Sequence, residues 1–366
     1  MTIQHKMIVA RPAPSSTVGP LAWLRANLFS GPVNTLFTLA GLYLLYLLLT
    51  PTIQWAFINA DWVGTSREDC SREGACWVFI GARFTQFIYG LYPRGEIWRV
   101  DITFATFAVL IAWLAIPRLP FKRWVAVGTL VIFPVFAYFM LYGGHFGLPV
   151  VATHRWGGLM LTLVLAVVGM AGALPIGILL ALGRRSQMPI VKSFCVVFIE
   201  FWRGVPLITV LFMASVMLPL FMPTGVSVDR LVRAFIGITL FQSAYMAEVI
   251  RGGLQAIPRG QEEAAAALGM SYWRRMGLVV LPQALKMMIP GIVNTFISLF
   301  KDTTLVMIIG LFDLLGIVQA ALSDSRWLGF ALEGYVFAAF VFWLFCFSMS
   351  RYSQYLERKL HTGHKK

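Results

Sequence analysis

Charged residues are scarce in this sequence of 366 residues: Asp, Glu, Lys and Arg make up 13% of it, whereas the residues of the set AVILMFWYC make up 58%. A soluble domain is typically about one quarter charged, so this chain has too few polar side chains to cover a globule. The composition therefore excludes a soluble enzyme and a disordered protein. The 4 cysteines are also too few for a disulfide scaffold.

Nucleotide-binding and metal-binding patterns are missing as well. The sequence has no Gly-x-x-x-x-Gly-Lys-[Ser/Thr] loop and not even a Gly-Lys dipeptide, so we do not expect the chain to cradle ATP itself. Its 5 histidines lie at chain ends or in loops without metal-ligand spacing, and no nucleophile stands beside a general base. We therefore expect that this chain binds no metal and no cofactor and that it is not an enzyme.

Long apolar stretches dominate what is present. A bilayer core of about 30 Å needs roughly 20 apolar residues in a helix. The sequence contains eight such stretches, the second of them short, and so predicts an all-α polytopic membrane protein with about eight transmembrane helices. The predicted spans are 33–60, 102–116, 125–144, 156–182, 194–218, 231–250, 287–310 and 334–350.

The distribution of positive charge predicts the orientation. The net charge is +14, which in a soluble protein would suggest nucleic acid but in a membrane protein points to basic cytoplasmic loops. Lys and Arg collect in the N-terminal segment and after the second, fourth, sixth and eighth spans, whereas the opposite loops are balanced or nearly uncharged. Both termini are therefore predicted to be cytoplasmic, with the lipid bilayer rather than nucleic acid as the partner.

The spans and loops suggest four regions. Residues 1–32 form a cytoplasmic lead, 33–154 an N-terminal transmembrane extension with an external loop at 61–98, 155–350 the main transmembrane domain, and 351–366 a cytoplasmic tail. The external loop contains Cys70 and Cys76 on the side where thiols can oxidise. Either a disulfide closes this small loop, or both thiols are free.

The loop at 251–286 is the longest predicted cytoplasmic segment. Residues 261–268 favour a helix that Pro258 precedes, and Gly269 is placed to end it. Ser271 can cap a second short helix, which Pro282 is expected to stop. We therefore predict two short helices joined by a glycine elbow, with an apolar part around 279–281 that packs against the protein.

Six positions in this loop resemble the EAA loop of ABC importer permeases. That motif reads EAA, three residues, Gly, nine residues, Ile, one residue, Leu-Pro, and Val279 in place of Ile is the one departure from it. The resemblance implies that the loop is a coupling helix that docks on a cytoplasmic ATPase. The alternative is an amphipathic loop without a partner. The six matching residues are Glu263, Ala264, Ala265, Gly269, Leu281 and Pro282, and with Val279 they form the predicted ATPase-coupling set.

Other segments narrow the resemblance. Residues 200–207, 242–253 and 301–305 are similar to the polar amino-acid permeases of that superfamily, and the extra N-terminal spans resemble membrane subunits of the bacterial general L-amino-acid importers. This implies a type I ABC importer core in the inner membrane that imports L-amino acids. It also implies an ATPase dimer that binds ATP and Mg²⁺, a periplasmic amino-acid-binding protein and a second permease, preferably a paralogue.

Four charged residues inside predicted spans are candidates for the substrate site: Glu200, Arg203, Lys301 and Asp302. Counting about 1.5 Å per residue along straight helices puts Arg203 and Lys301 at a similar depth, about 15 Å from the cytoplasmic surface. Mixed charges at that level suit a zwitterion. The alternative is that Glu200 and Arg203, one turn apart, neutralise each other, and that Lys301 and Asp302 pair with neighbours.

A secondary active amino-acid transporter is the main alternative function. Such a carrier also places charges at mid-depth, often in inverted repeats. The two halves of this sequence show no convincing repeat, and a secondary carrier has no use for a loop that docks on an ATPase.

Overall fold

The computed structural model describes residues 19–116, 118–223 and 228–360. Most of the predicted N-terminal lead, part of the 218–228 loop and the end of the tail lie outside these residues. Contacts divide the chain into two compact units, Met1–Val78 and Phe79–Lys366, and each is described by itself. The described residues are mainly helical, and their one strand is the short β1 (Phe312–Asp313).

The first unit begins with α1 (Pro20–Asn27) and α2 (Pro32–Ile53), which continues as a π-helical turn, Gln54–Ile58. The continuous helix Pro32–Ile58 is apolar and long enough to cross a membrane, and none of its α2 residues is buried in the protein. A helix that is apolar on every side and unburied is typical of a lipid-facing span.

The loop after α2 folds back on the end of that helix. Cys70 and Cys76 are joined by a disulfide, so of the two alternatives the structure contains the bonded one. The Trp77 amide donates to the Asp61 carbonyl at 2.9 Å, and the Trp77 indole N–H donates to the Ala56 carbonyl at 2.8 Å. A short 3-10 turn, Arg67–Asp69, precedes the disulfide.

Helix α3 (Trp77–Tyr89) lies within the segment predicted as an external loop, and α4 (Ile97–Ala115) and α5 (Lys122–Tyr142) follow it. The start of α4 is fixed to the end of α5 by Arg99, whose side chain is fully buried. Its guanidinium donates to the Met140 carbonyl at 2.5 Å and to the Pro149 carbonyl at 3.0 Å. These bonds offset part of the cost of burying the charge.

Helices α6 (Gly158–Arg184) and α9 (Arg230–Ala256) form the centre of the second unit. They approach closely because glycines of α6 face α9: a Cβ on Gly172 would lie 2.6 Å from Thr239 Cγ2, and one on Gly177 would lie 2.7 Å from Met246 Cβ. Small residues at such contacts are typical of helix packing in membranes.

The predicted fifth span is not one straight helix. It consists of α7 (Pro189–Gly204) and α8 (Leu207–Val216), which are bent by 102° to each other. Pro206 lies at the break, and a proline disfavours helical backbone at the residue before it. The apolar segment predicted over 194–218 is therefore present as a bent pair of helices.

All eight predicted segments occur as helices, but they differ in how well they suit a bilayer. Six helices in the described residues are long and apolar enough to cross a membrane, or seven if the bent pair counts as one span. Helix α9 occupies the predicted sixth span but is not among the six, because it carries more polar residues. The all-α membrane fold is confirmed, and six or seven of the described helices qualify as spans by length and composition alone.

The chain then passes through the predicted cytoplasmic loop, which contains α10 (Arg259–Ala267), α11 (Tyr272–Arg275), a π-helical turn, Met276–Val280, and α12 (Leu281–Met287). Next come α13 (Ile289–Asp302), its 3-10 extension Thr303–Ile309, α14 (Leu314–Leu322) and the long α15 (Ala331–Leu360). Between the 3-10 extension and α14, β1 pairs in parallel with Gly157 and Gly158 at the start of α6.

Two apolar clusters surround α6 and α9. One contains Leu161, Leu165 and Ile238 and packs the half nearer β1. The other lies at the opposite half, where Leu180, Met246 and Ile250 meet residues of the 251–286 loop. The second cluster therefore joins the loop to the helix ends that border it.

Candidate functional site

The EAA-like loop forms a two-armed unit. Its first arm is α10, which begins after Pro258 and on which Glu263 and Ala264 are exposed while Ala265 is 4% exposed. Gly269 then has φ of +72°, a left-handed conformation that favours glycine. The predicted glycine elbow is therefore present at the predicted residue.

The second arm is a continuous helical run through α11, the π-helical turn and α12. Pro282 does not end it, so that prediction is wrong: the proline lies in the first turn of α12, directly after the π-helical turn. A wider turn at that point accommodates both the missing N–H and the bulk of the ring. Gln283 steadies the unit, since its amide donates to the Val279 carbonyl at 2.8 Å and reaches Gln261 at 3.4 Å.

The loop has an anchored inner face and an exposed outer face. Met276, Val280 and Ala284 are buried in the second apolar cluster, as expected from the apolar sequence around 279–281. On the outside, Leu268 and Trp273 are 82% and 69% exposed. An exposed apolar surface on a firmly packed element is typical of a protein-docking site.

A cluster of ion pairs lies beside this loop, at the ends of α6, α7 and α9. Glu248 is its hub: it lies 2.8 Å from Arg184, 2.8 Å from Arg251 and 3.6 Å from Arg203. Glu200 pairs with Arg184 at 2.9 Å and with Arg203 at 4.0 Å. Glu248 thereby joins α6, α7 and α9.

The four predicted substrate-site residues do not form one group. Glu200 and Arg203 belong to the ion-pair cluster, whereas Asp302 accepts a hydrogen bond from Gln242 at 3.1 Å. Gln242 and Glu248 are six residues apart on α9, which corresponds to about 9 Å along a helix. The two predicted pairs therefore lie at different levels.

Glu248 links Arg203 to the ends of α6 and α9. Through Glu248, Arg203 lies close to Arg184 and Arg251, which the sequence places at the cytoplasmic boundary. The depth count to Arg203 runs along α7, which is one continuous helix up to Gly204 and ends before the 102° bend. The expected depth of Arg203 therefore stays a prediction.

Three contacts of this region were not predicted from the sequence. The pairing of Arg184 with Glu248 spans 64 residues and depends on the contact between α6 and α9, so it has no local signal. The pairing of Glu248 with Arg251 does have one, because an acid and a base three residues apart on a helix face each other. Gln242 lies in the 242–253 segment of the family resemblance, but its hydrogen bond to Asp302 joins residues 60 positions apart and has no local signal.

This fold and loop define a multispanning membrane component of a transport system. The family of binding-protein-dependent transport system inner membrane components matches residues 173–362. The inner membrane amino-acid ABC transporter permease protein YhdY of Escherichia coli (strain K12) is 58% identical, with 96% of each chain covered. The glutamate/glutamine/aspartate/asparagine transport system permease protein BztC of Rhodobacter capsulatus is 42% identical, with 99% of each covered.

A solved structure, a crystal structure of an amino acid ABC transporter with histidines, is 30% identical over 55% of this chain and 92% of that chain, with a TM-score of 0.49. From the family match and the two long alignments, the chain belongs to the amino-acid ABC transporter permeases, as the sequence motifs predict. It is thus a multispanning inner-membrane transport subunit, of a family whose ATPase is a separate subunit.

Proposed function

We propose that this chain takes up L-amino acids from the periplasm by alternating access, coupled through the 251–286 loop to a separate ATPase. The observation that carries the proposal is the loop's two-sided construction, in which the inner face is buried against the ends of α6 and α9 and the outer face is exposed. A force applied to such a loop is transmitted to the helices instead of being absorbed by the loop.

The partners follow from the family and from the chain's composition. The permease pairs with a paralogous permease, two cytoplasmic ATPase subunits bind ATP and Mg²⁺, and a periplasmic binding protein delivers the amino acid. The absence of a Gly-Lys dipeptide from the sequence supports assigning the nucleotide to the ATPase. Both termini face the cytoplasm, in keeping with the basic loops.

The substrate-contacting residues are proposed at two levels. Asp302 with Gln242, between α9 and α13, provides a polar contact that suits an ammonium group. Arg203, whose guanidinium also lies 5.8 Å from the Tyr245 ring centre, provides a cation for a carboxylate near the cytoplasmic end of the path. Glu200, three residues before Arg203, and Lys301, directly before Asp302, complete the proposed set of substrate-site residues.

The test is reconstitution with the ATPase, the paralogous permease and the binding protein in nanodiscs. Binding protein loaded with an amino acid is expected to stimulate ATP hydrolysis. Glu263→Lys places a cation on the exposed docking face and is expected to weaken ATPase association or abolish the stimulation. Glu357→Lys makes the same charge reversal on an exposed residue of α15 outside the loop and serves as the matched control.

Two results would contradict the proposal. One is a Glu263→Lys complex with normal composition and normal stimulated hydrolysis. The other is amino-acid uptake that continues after deletion of the ATPase while a proton gradient remains, which is the behaviour of a secondary transporter.

A further inference from the structure

A cavity of about 310 Å³ lies where the ends of α6 and α9 meet the start of α10. Four arginines line it, together with an apolar wall, and none of the described residues that line it is acidic. The residues that matter are Arg184, Arg185, Arg251, Arg259, Leu254 and Ile257. So many guanidinium groups around one small concavity indicate a site for an anion.

The guanidinium groups are held in place by contacts that leave donors free. Arg251 uses Nε and Nη2 to bind Glu248, and Arg184 uses Nη1 for both of its glutamates. Each guanidinium carries five N–H donors. Within the described residues, Nη1 of Arg251 and Nη2 of Arg184 make no hydrogen bond, so both remain available to a ligand.

The local charge is not balanced by the protein. Glu200 and Glu248 together serve Arg184, Arg203 and Arg251. Glu262 reaches Arg185 only at 3.7 Å, and Arg259 makes no ion pair with any described residue. Five arginines against three glutamates leave an excess of two positive charges beside the cavity, which matches the charge of a phosphate group.

The start of α10 adds to this preference. The nine-residue helix begins at Arg259, so its first turn borders the cavity that Arg259 and Ile257 line. A helix N-terminus carries a partial positive charge and unpaired amides, both of which favour anions.

We propose that this cavity binds a phosphate group, presented either by free phosphate or by the headgroup of an anionic phospholipid. Planar guanidinium forks bind phosphate oxygens in pairs, and a concave site favours a compact anion over a flat protein surface. A bound phosphate would connect α6, α9 and α10 and so stiffen the loop where it leaves the helix bundle. The inference goes beyond the transport function and does not depend on it.

The experiment uses the full-length chain in nanodiscs and two probes. In phosphatidylcholine nanodiscs, inorganic phosphate is titrated and followed by ³¹P NMR line broadening. In mixed nanodiscs, phosphatidylglycerol retained on the chain is counted by native mass spectrometry.

Arg259→Gln removes a cavity arginine that makes no ion pair with any described residue. It is expected to weaken binding about tenfold, the loss typical of one hydrogen bond to a charged group. Arg274→Gln removes an exposed arginine of the same loop that does not line the cavity, and is expected to bind as the unaltered chain does.

The two probes distinguish the sources. If Arg259→Gln weakens the binding of inorganic phosphate, the cavity is a free-phosphate site. If it weakens only the retention of phosphatidylglycerol, the cavity is a headgroup site. Either result supports the proposal. Equal binding by Arg259→Gln and the unaltered chain, or an equal loss in Arg274→Gln, would overturn it. The proposal would also be overturned if Arg259→Gln left binding of both probes intact but weakened co-purification of the ATPase. The arginines would then contact a protein surface. Matching gel-filtration profiles check that both variants are folded.

Discussion

Glu248 joins three helices through one partly buried carboxylate. Its side chain is 16% exposed, whereas that of Glu200, which shares two of its partners, is 53% exposed. Screening by solvent makes an exposed ion pair nearly neutral for stability, whereas breaking a buried pair leaves an uncompensated charge. The two glutamates are therefore unequal contributors despite their common partners.

Glu248→Gln is expected to lower the free energy of unfolding by about 3 kcal/mol, because it leaves Arg184, Arg203 and Arg251 with one carboxylate fewer in a half-buried site. Glu200→Gln, the matched control, is expected to lower it by less than about 1 kcal/mol. Thermal unfolding in detergent, followed by gel filtration of the folded fraction, measures both. Equal losses in the two variants would show that Glu248 is not the hub.

Asp313 predicts a dependence of stability on pH. It is fully buried at the start of α14, accepts a hydrogen bond from the Gly316 amide at 2.9 Å, and has a second carboxyl oxygen without a partner among the described residues. Burial raises the pKa of this carboxyl to about 6 from 3.8. The folded state therefore binds more protons between these values, and the free energy of unfolding falls as the pH rises through that interval, by at most about 3 kcal/mol.

Asp313→Asn keeps an acceptor for the Gly316 amide but does not titrate, so it is expected to flatten the stability curve between pH 4 and 6. Asp324 gives the opposite behaviour: its hydrogen bonds to Arg326, with Arg83 nearby, hold the pKa of that carboxyl below its usual range. Its contribution is present above about pH 4 and is lost on further acidification. Chemical unfolding of the unaltered chain, Asp313→Asn and Asp324→Asn, carried from about pH 7 to well below pH 4, measures the two effects. An unchanged slope in Asp313→Asn would count against the buried carboxyl as its source.

Among the helices, the sequence predicted those features that depend on local composition. The eight apolar segments were found because a span needs about twenty apolar residues, whatever its neighbours are. The elbow at Gly269 was predicted because a left-handed residue after a helix is usually glycine. The break at Pro206 has a local cause that could have been used, because proline disfavours helix at the preceding residue.

The contacts of the candidate site could not be predicted in the same way. Whether Arg203 pairs with Glu248 or with residues around Lys301 depends on how α7 packs against α9, and that packing has no signal in the local sequence. Likewise, Pro282 was expected to stop a helix because prolines usually do, and the π-helical turn before it removes the conflict.

The glycine elbow is the element that orients the two arms of the loop. Gly269→Ala places a Cβ on a residue with φ of +72°, which costs roughly 1–2 kcal/mol locally. We expect it to reduce substrate-stimulated hydrolysis several-fold while the ATPase stays associated. Gly277→Ala adds the same methyl group in the second arm, where no atom lies within 4 Å and φ is not positive, and should have little effect. Equal hydrolysis in the two variants would mean that the elbow does not transmit the coupling.

At the scale of the whole molecule, the chain supplies its own markers of orientation. Cys70 and Cys76 lie in the loop at 61–98, which the distribution of basic residues predicts to be outside the cytoplasm. They form a disulfide, and disulfides persist in oxidising compartments. Cys195 and Cys346 lie inside helices, buried and half-buried. A reagent that cannot cross the membrane should therefore reach only the first pair.

After reduction, a membrane-impermeant maleimide is expected to label the chain in intact spheroplasts, and without reduction it should not. The variant with both Cys70→Ser and Cys76→Ser should stay unlabelled under either condition, which assigns the signal to the loop. Labelling that requires inverted vesicles would reverse the orientation. The 251–286 loop would then face the periplasm, where no ATPase could reach it, so this measurement on two external thiols also tests the coupling proposal from the opposite side of the membrane.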